Sequence, residues 1–340
     1  MEDVGPSDRR AKKLIDDIIY FDIHGHREKL LPPILRVIPS TRIPRDVKLS
    51  GLADTGVNGF IICAIGDPNS FKKWKTDSYK SVMKQLDEIR KSIARAGGVI
   101  ALSSSDIEKA STDGKPVFVL GIEGGDFIGE DLNRLSFVYN QGVRLLVPMH
   151  YSKNLIGSIS LGWGGRVVPD REQTGLTSFG KELIEEAGEL GMLIDLAHAD
   201  ERTILDVVKI TTAPVLCSHT GPRSLQNFPR YISDKAMKAI AGTGGLVGLW
   251  PFFSKGAGVE DLETFINYAR YMADLIGTEH LAFGTDINGV PGNMKGYENL
   301  NDAFVLIQTL LDGGFNENEL KMIAGENFLR FFNTTMKSDR

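Results

Sequence analysis

The sequence has only two cysteines in 340 residues, Cys63 and Cys217, and both lie inside apolar, strand-like runs. No disulfide framework can be built from that, so both read as small core residues. Charge is nearly balanced: 39 Lys and Arg against 44 Asp and Glu leave a net −5, which argues against a nucleic-acid partner or an acidic membrane surface. No apolar run approaches the ~20 residues that a membrane-crossing helix needs. Met1 to Asp17 is dense in charge and lacks the apolar core of a secretory signal, and Thr334 to Arg340 is polar, without a lipid-anchor signal. The sequence therefore predicts a cytoplasmic protein with no membrane partner. It also lacks low-complexity segments and short repeats. No G-x-G-x-x-G follows the first apolar run, which weakens a dinucleotide-binding fold.

What is present is an ordinary globular balance, 42% hydrophobic and 24% charged, arranged in two alternating periods. The short apolar runs are Ile19–His24, Gly59–Ile65, Pro116–Ile122, Val143–Pro148, Met192–Ala197, Ala213–Cys217, Gly245–Leu249 and His280–Phe283. They are strand-length and apolar on both faces, the pattern of buried parallel strands. Between or after them, apolar residues recur at helical spacing over Trp74–Ala96, Leu132–Gln141, Ser178–Leu190, Glu201–Lys209, Ser233–Gly242, Glu260–Ile276, Asn299–Leu311 and Asn316–Leu329. Thr177 or Ser178 is a helix N-cap with Gly191 as the stop, and Ser233 opens another helix that Gly244 closes. Arg27–Pro44 is proline-rich and reads as a loop, followed by a short helix near Asp46–Asp54. Eight strands alternating with helices predict an α/β fold, a (β/α)8 TIM barrel, over residues 18–333 as one domain. Residues 1–17 form an N-terminal extension and 334–340 a polar tail. The loop after strand one and the glycine-rich Ser152–Thr174 stretch are rim insertions, and a doubly wound open sheet is the rival architecture.

In a barrel, chemistry belongs at the C-terminal ends of the strands. There the sequence puts His24 and His26, Glu123, His150, Asp195 and His198, His219 and Asp286, while His280 falls at a strand's beginning and reads as structural. Each histidine alone is more often a hydrogen-bonded loop or core residue than a ligand. Together they are harder to dismiss, because buried imidazoles and carboxylates converging on one face cost several kcal/mol unless paired or metal-bound. In an extended strand i and i+2 share a face, so His24 and His26 point the same way. Nitrogen and carboxylate donors without cysteine suit Zn²⁺, with Mn²⁺, Fe²⁺ or Co²⁺ as alternatives. His24 and His26 are the candidate ligands of one ion and His198 and His219 of a second, with Glu123 bridging two metals ~3.5–4 Å apart. Asp22 and Asp195 are candidates to orient ligands.

At these residues the chain resembles the membrane (renal) dipeptidase family of zinc peptidases, in the amidohydrolase superfamily. The matching pieces are Asp22-x-His24-x-His26, Gly121-Ile122-Glu123-Gly124-Gly125, Gln141-Gly142-Val143-Arg144 leading to Met149-His150, and Gly175-Leu176-Thr177-x-Phe179-Gly180. Further on come Leu190-Gly191-Met192-Leu193-Ile194-Asp195-x-x-His198, Ser218-His219-Thr220 and Gly284-Thr285-Asp286. The resemblance implies a (β/α)8 barrel, two zinc ions per chain bridged by Glu123, and a metal-activated hydroxide as nucleophile. It implies that Asp286 accepts and relays the proton, that His150 polarises the scissile carbonyl, and that Arg230, in Phe228-Pro229-Arg230-Tyr231, binds the substrate's terminal carboxylate. Such roles fit the chemistry, since an arginine fork matches a carboxylate and cations neutralise an oxyanion. The expected substrates are dipeptides, including ones with a C-terminal D-residue, or N-acyl amino acids. Family members often dimerise, and a homodimer is the oligomer the resemblance suggests.

Two departures stand out. The family has His-x-Asp at strand one where this chain has His24-x-His26, which removes a negative charge, and its Arg-Asn is here Arg230-Tyr231. The competing enzyme is a mononuclear deaminase of the same superfamily. Against it stand the bridging use of Glu123 and the missing His-x-x-Glu proton shuttle after strand five. Phosphotriesterase-like hydrolases usually bridge with a lysine at strand four, and none lies there. A catalytically inactive barrel is the third reading, against which Asp286, His150 and Arg230 argue. Arg144, Arg166 and Arg171 read as solvated or paired, and Trp163 and Trp250 as either pocket wall or packing.

Overall fold

The short runs rich in Val, Ile, Leu and Phe pair side by side as parallel strands. β1 (Phe21–His26), β2 (Gly59–Ile65), β3 (Val117–Glu123), β4 (Val143–Val147) and β5 (Leu193–Ile194) form one sheet in that order, with Val99–Ile100 pairing beside β3. β6 (Leu216–Thr220), β7 (Leu246–Leu249) and β8 (Leu281–Phe283) form a second parallel sheet in the order β8-β7-β6. Two isolated parallel bridges join the sheets, Asp195 with Leu216 and Gly25 with Ile287. At each a backbone hydrogen bond crosses, from Leu196 N to Leu216 O and from His26 N to Ile287 O, both 2.7 Å. The architecture is α/β with parallel strands, and this computed structural model describes residues 6–28, 46–68, 76–254 and 256–336.

Every residue of β1, β2 and β3 is buried, because the two faces meet two different apolar layers. Phe21, Ile23, Ile61, Val119, Leu145, Leu193, Leu216, Leu246 and Ala282 gather on one side, where Phe328, Phe331 and Phe332 join them. Phe60, Ile62, Phe118, Leu120, Leu146 and Val247 turn the other way, toward the helices. The helix Ser78–Arg95 packs there through Val82, Leu86, Ile89 and Ile93 and is capped by Asp77, whose Oδ1 accepts from Lys80 N at 3.1 Å. The start signals read from sequence operate as read. Thr177 Oγ1 accepts from Gly180 N at 2.9 Å and Ser233 Oγ from Ala236 N at 3.2 Å, and Gly191 ends its helix at φ 76°.

Three strands end later than the apolar patterns predict, while β5 is confined to Leu193–Ile194 within the expected Met192–Ala197. β1, β3 and β6 run through His26, Glu123 and His219, instead of stopping at His24, Ile122 and Cys217. The polar side chains end the apolar run, but their backbones still pair, His26 with Cys63 and Glu123 with Val147. Among the described residues, two helices are additional to the expected set. Pro6–Asp17 buries Ala11, Leu14 and Ile15 in the main core despite its charge density, and Ser104–Thr112 is opened by a capping box between Ser103 and Asp106. The short helix expected near Asp46–Asp54 is a 3₁₀ turn at Leu49–Thr55. Of the expected loop Arg27–Pro44, residues 29–44 lie outside the described residues, as do 74 and 75 of the expected helix Trp74–Ala96, and positions 1–5 and 337–340.

Candidate metal centre

Glu123, the last residue of β3, is 2% exposed and sits at the middle of five histidines. Its Oε1 lies 3.0 Å from His198 Nε2, 3.4 Å from His24 Nε2 and 3.7 Å from His219 Nε2. Its Oε2 lies 3.2 Å from His26 Nε2 and 3.4 Å from His150 Nε2. All five rings thus turn the same nitrogen inward. Three of the outward nitrogens have anchors: Cys63 O accepts from His26 Nδ1 at 3.2 Å, Asp67 Oδ1 lies 2.8 Å from His150 Nδ1, and Ser218 Oγ lies 2.8 Å from His219 Nδ1, whereas His198 Nδ1 is buried without a hydrogen-bond partner. Each anchor holds a ring's orientation and leaves Nε2 to the centre.

Local backbone makes this convergence feasible. Gly25 separates His24 from His26, and a Cβ there would come within 2.8 Å of Ile287 Cβ. His198 and Asp286 have positive φ, 75° and 54°, as does Asn288 at 62°. After β5 and β8 these left-handed residues accompany a His198 ring that meets Glu123 and an Asp286 carboxylate that meets His26. Asp195 Oδ1 accepts from Ala197 N at 3.0 Å and Ser218 N at 2.9 Å, tying β5 to β6 behind the histidines. Asp22 Oδ1 accepts from His24 N and Thr285 N, both at 3.1 Å, and so ties β1 to the segment after β8. Burial raises the Asp22 carboxyl to about 7 against the pull of those hydrogen bonds.

The electrostatics are those of charges forced together out of water. Burial opposes ionisation of Glu123, but His150, His24 and His198 outweigh it and hold the carboxyl well below its usual range. Burial also opposes charge on His26, yet the Asp286 and Glu123 carboxylates raise it to about 9. His198 and His219 go the other way: burial, then Arg230 with His150 for the first and His24 with Arg230 for the second, hold them well below the ordinary histidine value.

The donor set fits a metal. Tetrahedral zinc with nitrogen ligands at ~2.1 Å puts neighbouring donors roughly 3.4 Å apart, and the contacts around Glu123 scatter about that value. His24 Nε2 and Asp286 Oδ1 are buried with no hydrogen-bond partner, and His198 Nε2 faces His219 Nε2 at 3.1 Å. Two facing nitrogens and an orphaned carboxylate oxygen are arrangements that a cation satisfies. Three groups have donor atoms mutually within 4.8 Å: His24, His26 and Glu123; His24, Asp195 and His219; Glu123, His150 and His198. The structure therefore brings His24, His26, Glu123, His198 and His219 together, with His150 as near Glu123 as they are. Asp286 joins through Oδ1, 3.4 Å from His26 Nε2.

Arg230 lies beside the centre, 5% exposed, with its guanidinium 5.4 Å over the Trp250 ring and Nη2 buried without a hydrogen-bond partner. Trp250 stacks on Phe252 and meets the His219 ring edge-on, so it is both wall and packing. Trp163 is 44% exposed and touches Tyr151, which in turn contacts the His198 ring. Arg144 packs on Tyr139 away from the site, and Arg166 pairs with Glu172 on the surface. His280 Nδ1 reaches Gly245 O at 2.8 Å, a structural contact. Asp67 was not among the sequence candidates. It stands two residues past the end of β2, so the strand-end rule that selects the other residues would have selected it.

Set against known proteins, residues 9–340 match the model of the family described as membrane dipeptidase (peptidase family M19). Dipeptidase verJ of Clonostachys rogersoniana is 28% identical over 258 residues, which is 75% of this chain and 65% of that relative's length. Among solved structures, an amidohydrolase from Pseudomonas aeruginosa superposes with a TM-score of 0.78 at 21% identity, covering 96% of this chain and 98% of the other. A metallopeptidase from Rhodobacter sphaeroides, liganded with a phosphinate mimic of the dipeptide L-Ala-D-Ala, gives a TM-score of 0.78 at 20% identity, covering 94% and 99%. At such identities the two structures speak for the fold.

Proposed function

The chain belongs to the membrane dipeptidase family, peptidase family M19, and from that premise we propose that it is a zinc-dependent dipeptidase. Its reaction is hydrolysis of the amide bond of a dipeptide or N-acyl amino acid. The observation that carries the reading is the Glu123 carboxylate within 3.0–3.7 Å of five inward-turned Nε2 atoms. His24 and His26 on one side, and His198 and His219 on the other, would hold two zinc ions with Glu123 between them. Zinc at such a centre makes water acidic enough to attack at neutral pH and offsets negative charge on the carbonyl oxygen. We further infer that the two parallel sheets close into one (β/α)8 barrel through the bridges Asp195–Leu216 and Gly25–Ile287, with the centre at its C-terminal rim.

The chain's own groups divide the remaining work. Asp286 Oδ1, buried without a hydrogen-bond partner beside His26, accepts the proton of the attacking water and passes it to the leaving amine. His150 Nε2 meets the carbonyl oxygen. Arg230 Nη2 has no hydrogen-bond acceptor of its own in a buried setting. An uncompensated guanidinium there calls for an anion, and the free carboxylate of a dipeptide supplies it. Trp250 supports the guanidinium from behind, and Trp163 and Tyr151 form the outer wall. No described helix is long and apolar enough to cross a membrane. The composition favours cytoplasmic work, and the family's habit favours a homodimer.

The test is metal analysis of protein purified without chelator, with a panel of L,L- and L,D-dipeptides and N-acyl amino acids. About two zinc ions per chain with turnover of a free-carboxylate substrate is the expected outcome. Metal-loaded protein that turns over no member of the panel would overturn the reading.

A further inference from the structure

We propose that the indole Nε1 of Trp250 is a second donor to the substrate's terminal carboxylate, so that Arg230 and Trp250 take one oxygen each. The proposal rests on the dipeptidase reading, in which Arg230 Nη2 meets that carboxylate.

Trp250 is the first residue beyond the end of β7. It is 6% exposed, and its Nε1 is buried with no hydrogen-bond partner. The same holds for Arg230 Nη2, whose guanidinium lies 5.4 Å from the centre of the Trp250 ring. Indole and guanidinium nitrogens donate and never accept, so neither can satisfy the other, and a metal ion satisfies neither. What both lack is an acceptor, and the buried guanidinium requires that it be an anion. A carboxylate brings two acceptor oxygens and no donor. The Trp250 ring meets the His219 ring at 5.3 Å, which sets both donors on the flank of the metal centre.

An aromatic stack holds the two donors as a unit. Trp250 stacks on Phe252 at 4.4 Å with 14° between the planes, and Phe252 stacks on Phe228 at 5.8 Å and 15°. Phe228 stands two residues before Arg230, in a turn closed by Tyr231 N donating to Phe228 O at 2.8 Å. Gln226 Oε1 accepts from Gly258 N at 2.7 Å and ties the same segment to the chain beyond Phe252. Pro251 keeps Trp250 extended, and its carbonyl accepts from Met294 N at 2.9 Å. Phe252 and the guanidinium engage the faces of the indole, and Nε1 on its edge remains for a ligand. The pair also rejects: a C-terminal amide offers one acceptor and one donor, so one of the two nitrogens would face a donor.

Trp250→Phe removes the N–H and keeps an aromatic ring against Phe252 and Arg230. Steady-state kinetics of zinc-loaded full-length protein compare a free-carboxylate dipeptide with its C-terminal amide. For the acid, KM should rise about tenfold with kcat within about twofold, the size of one hydrogen bond to a charged group. For the amide, kcat/KM should stay within about twofold. No loss on the acid, or equal losses on both substrates, overturns the proposal, because a packing role would treat the two alike. A second measurement needs no Trp250 variant to fold. It is NMR of the ¹⁵N-labelled indoles in native zinc-loaded protein, the chain's three tryptophans being assigned by elimination from Trp74→Phe and Trp163→Phe samples. An excess of D-alanine, the C-terminal half of an L,D-dipeptide, should move the Trp250 indole proton downfield, and D-alaninamide should leave it in place. An unmoved Trp250 indole in D-alanine overturns the proposal, as does the same shift with both. If the native protein turns over no dipeptide, the dipeptidase reading fails, and the D-alanine titration still decides whether Trp250 Nε1 binds a carboxylate.

Discussion

Glu123 Oε1 and His198 Nε2 stand 3.0 Å apart, the shortest of the contacts that join the Glu123 carboxylate to the histidine rings. One carboxylate thereby faces five imidazoles, and its charge and its two oxygens are both in use. Glu123→Gln keeps the size and removes the charge. If the proposed two-metal centre holds, at least one metal should be lost, with turnover down on the order of 10³-fold. Metal content by mass spectrometry and kcat on the same preparation check it. Full zinc occupancy in the variant would sink the bridging role.

Arg230 gives a prediction about substrate, not metal. Arg230→Met keeps the stem against Trp250 and removes the fork. For a dipeptide with a free carboxylate, kcat/KM should fall about 10–100-fold, the usual cost of losing a charged hydrogen bond. For the matching dipeptide amide the change should be under about threefold. Equal losses on both substrates would mean that Arg230 does not read the carboxylate.

Two glycines should respond in opposite senses to alanine. A Cβ on Gly248, in β7, would lie 1.6 Å from Ser218 O, a backbone atom of β6 next to His219. Gly242 ends the helix Asp234–Gly242 and has nothing within 4 Å of its would-be Cβ. Gly248→Ala should destabilise by more than about 3 kcal/mol, whereas Gly242→Ala should stabilise by about 0.5–1 kcal/mol. Denaturant unfolding of both variants reads the signs directly.

Asp126 supplies a pH signature away from the metal ligands. Burial, with Asp67 nearby, raises its carboxyl to about 6 against hydrogen bonds from Asn154 and Ser152. A raised carboxyl binds its proton more tightly folded than unfolded. Its cost is therefore absent below the unfolded value of 3.8 and complete above about 6. Relative to the native protein, Asp126→Asn should gain roughly 2 kcal/mol between pH 4 and pH 7, whatever its fixed cost in hydrogen bonding. Unfolding free energies at four pH values in that interval check the slope, and a flat difference would contradict the shift.

Much of the site was legible because polar residues at the ends of apolar runs are expensive to bury, and that expense exposed His24, His26, Glu123, His150, His198, His219 and Asp286 in the bare sequence. The same feature misled the strand boundaries, since a histidine that ends an apolar pattern does not end a hydrogen-bond ladder. Pro6–Asp17 was hidden for a related reason: its charges mask a narrow stripe of Ala11, Leu14 and Ile15 that periodicity over so short a stretch does not separate from noise. Ser103 and Asp106 carry a capping signature that a run of serines makes look like loop. The ring orientations were out of reach, because they depend on Cys63 O and Asp67, residues 37 and 83 positions away in sequence from their partners.

His198 holds its ring against Glu123 from a backbone at φ 75°, a conformation that glycine adopts freely and histidine does not. The excess is about 1 kcal/mol. In metal-free protein a glycine at position 198 would relax the turn after β5 and release a buried imidazole from its crowd of neighbours, so that variant should melt later than the metal-free native chain and do nothing, whereas bound metal would reverse the order. Selection for heat tolerance without metal would therefore erode this centre, and any campaign to harden the protein must keep metal present and screen for turnover at every round.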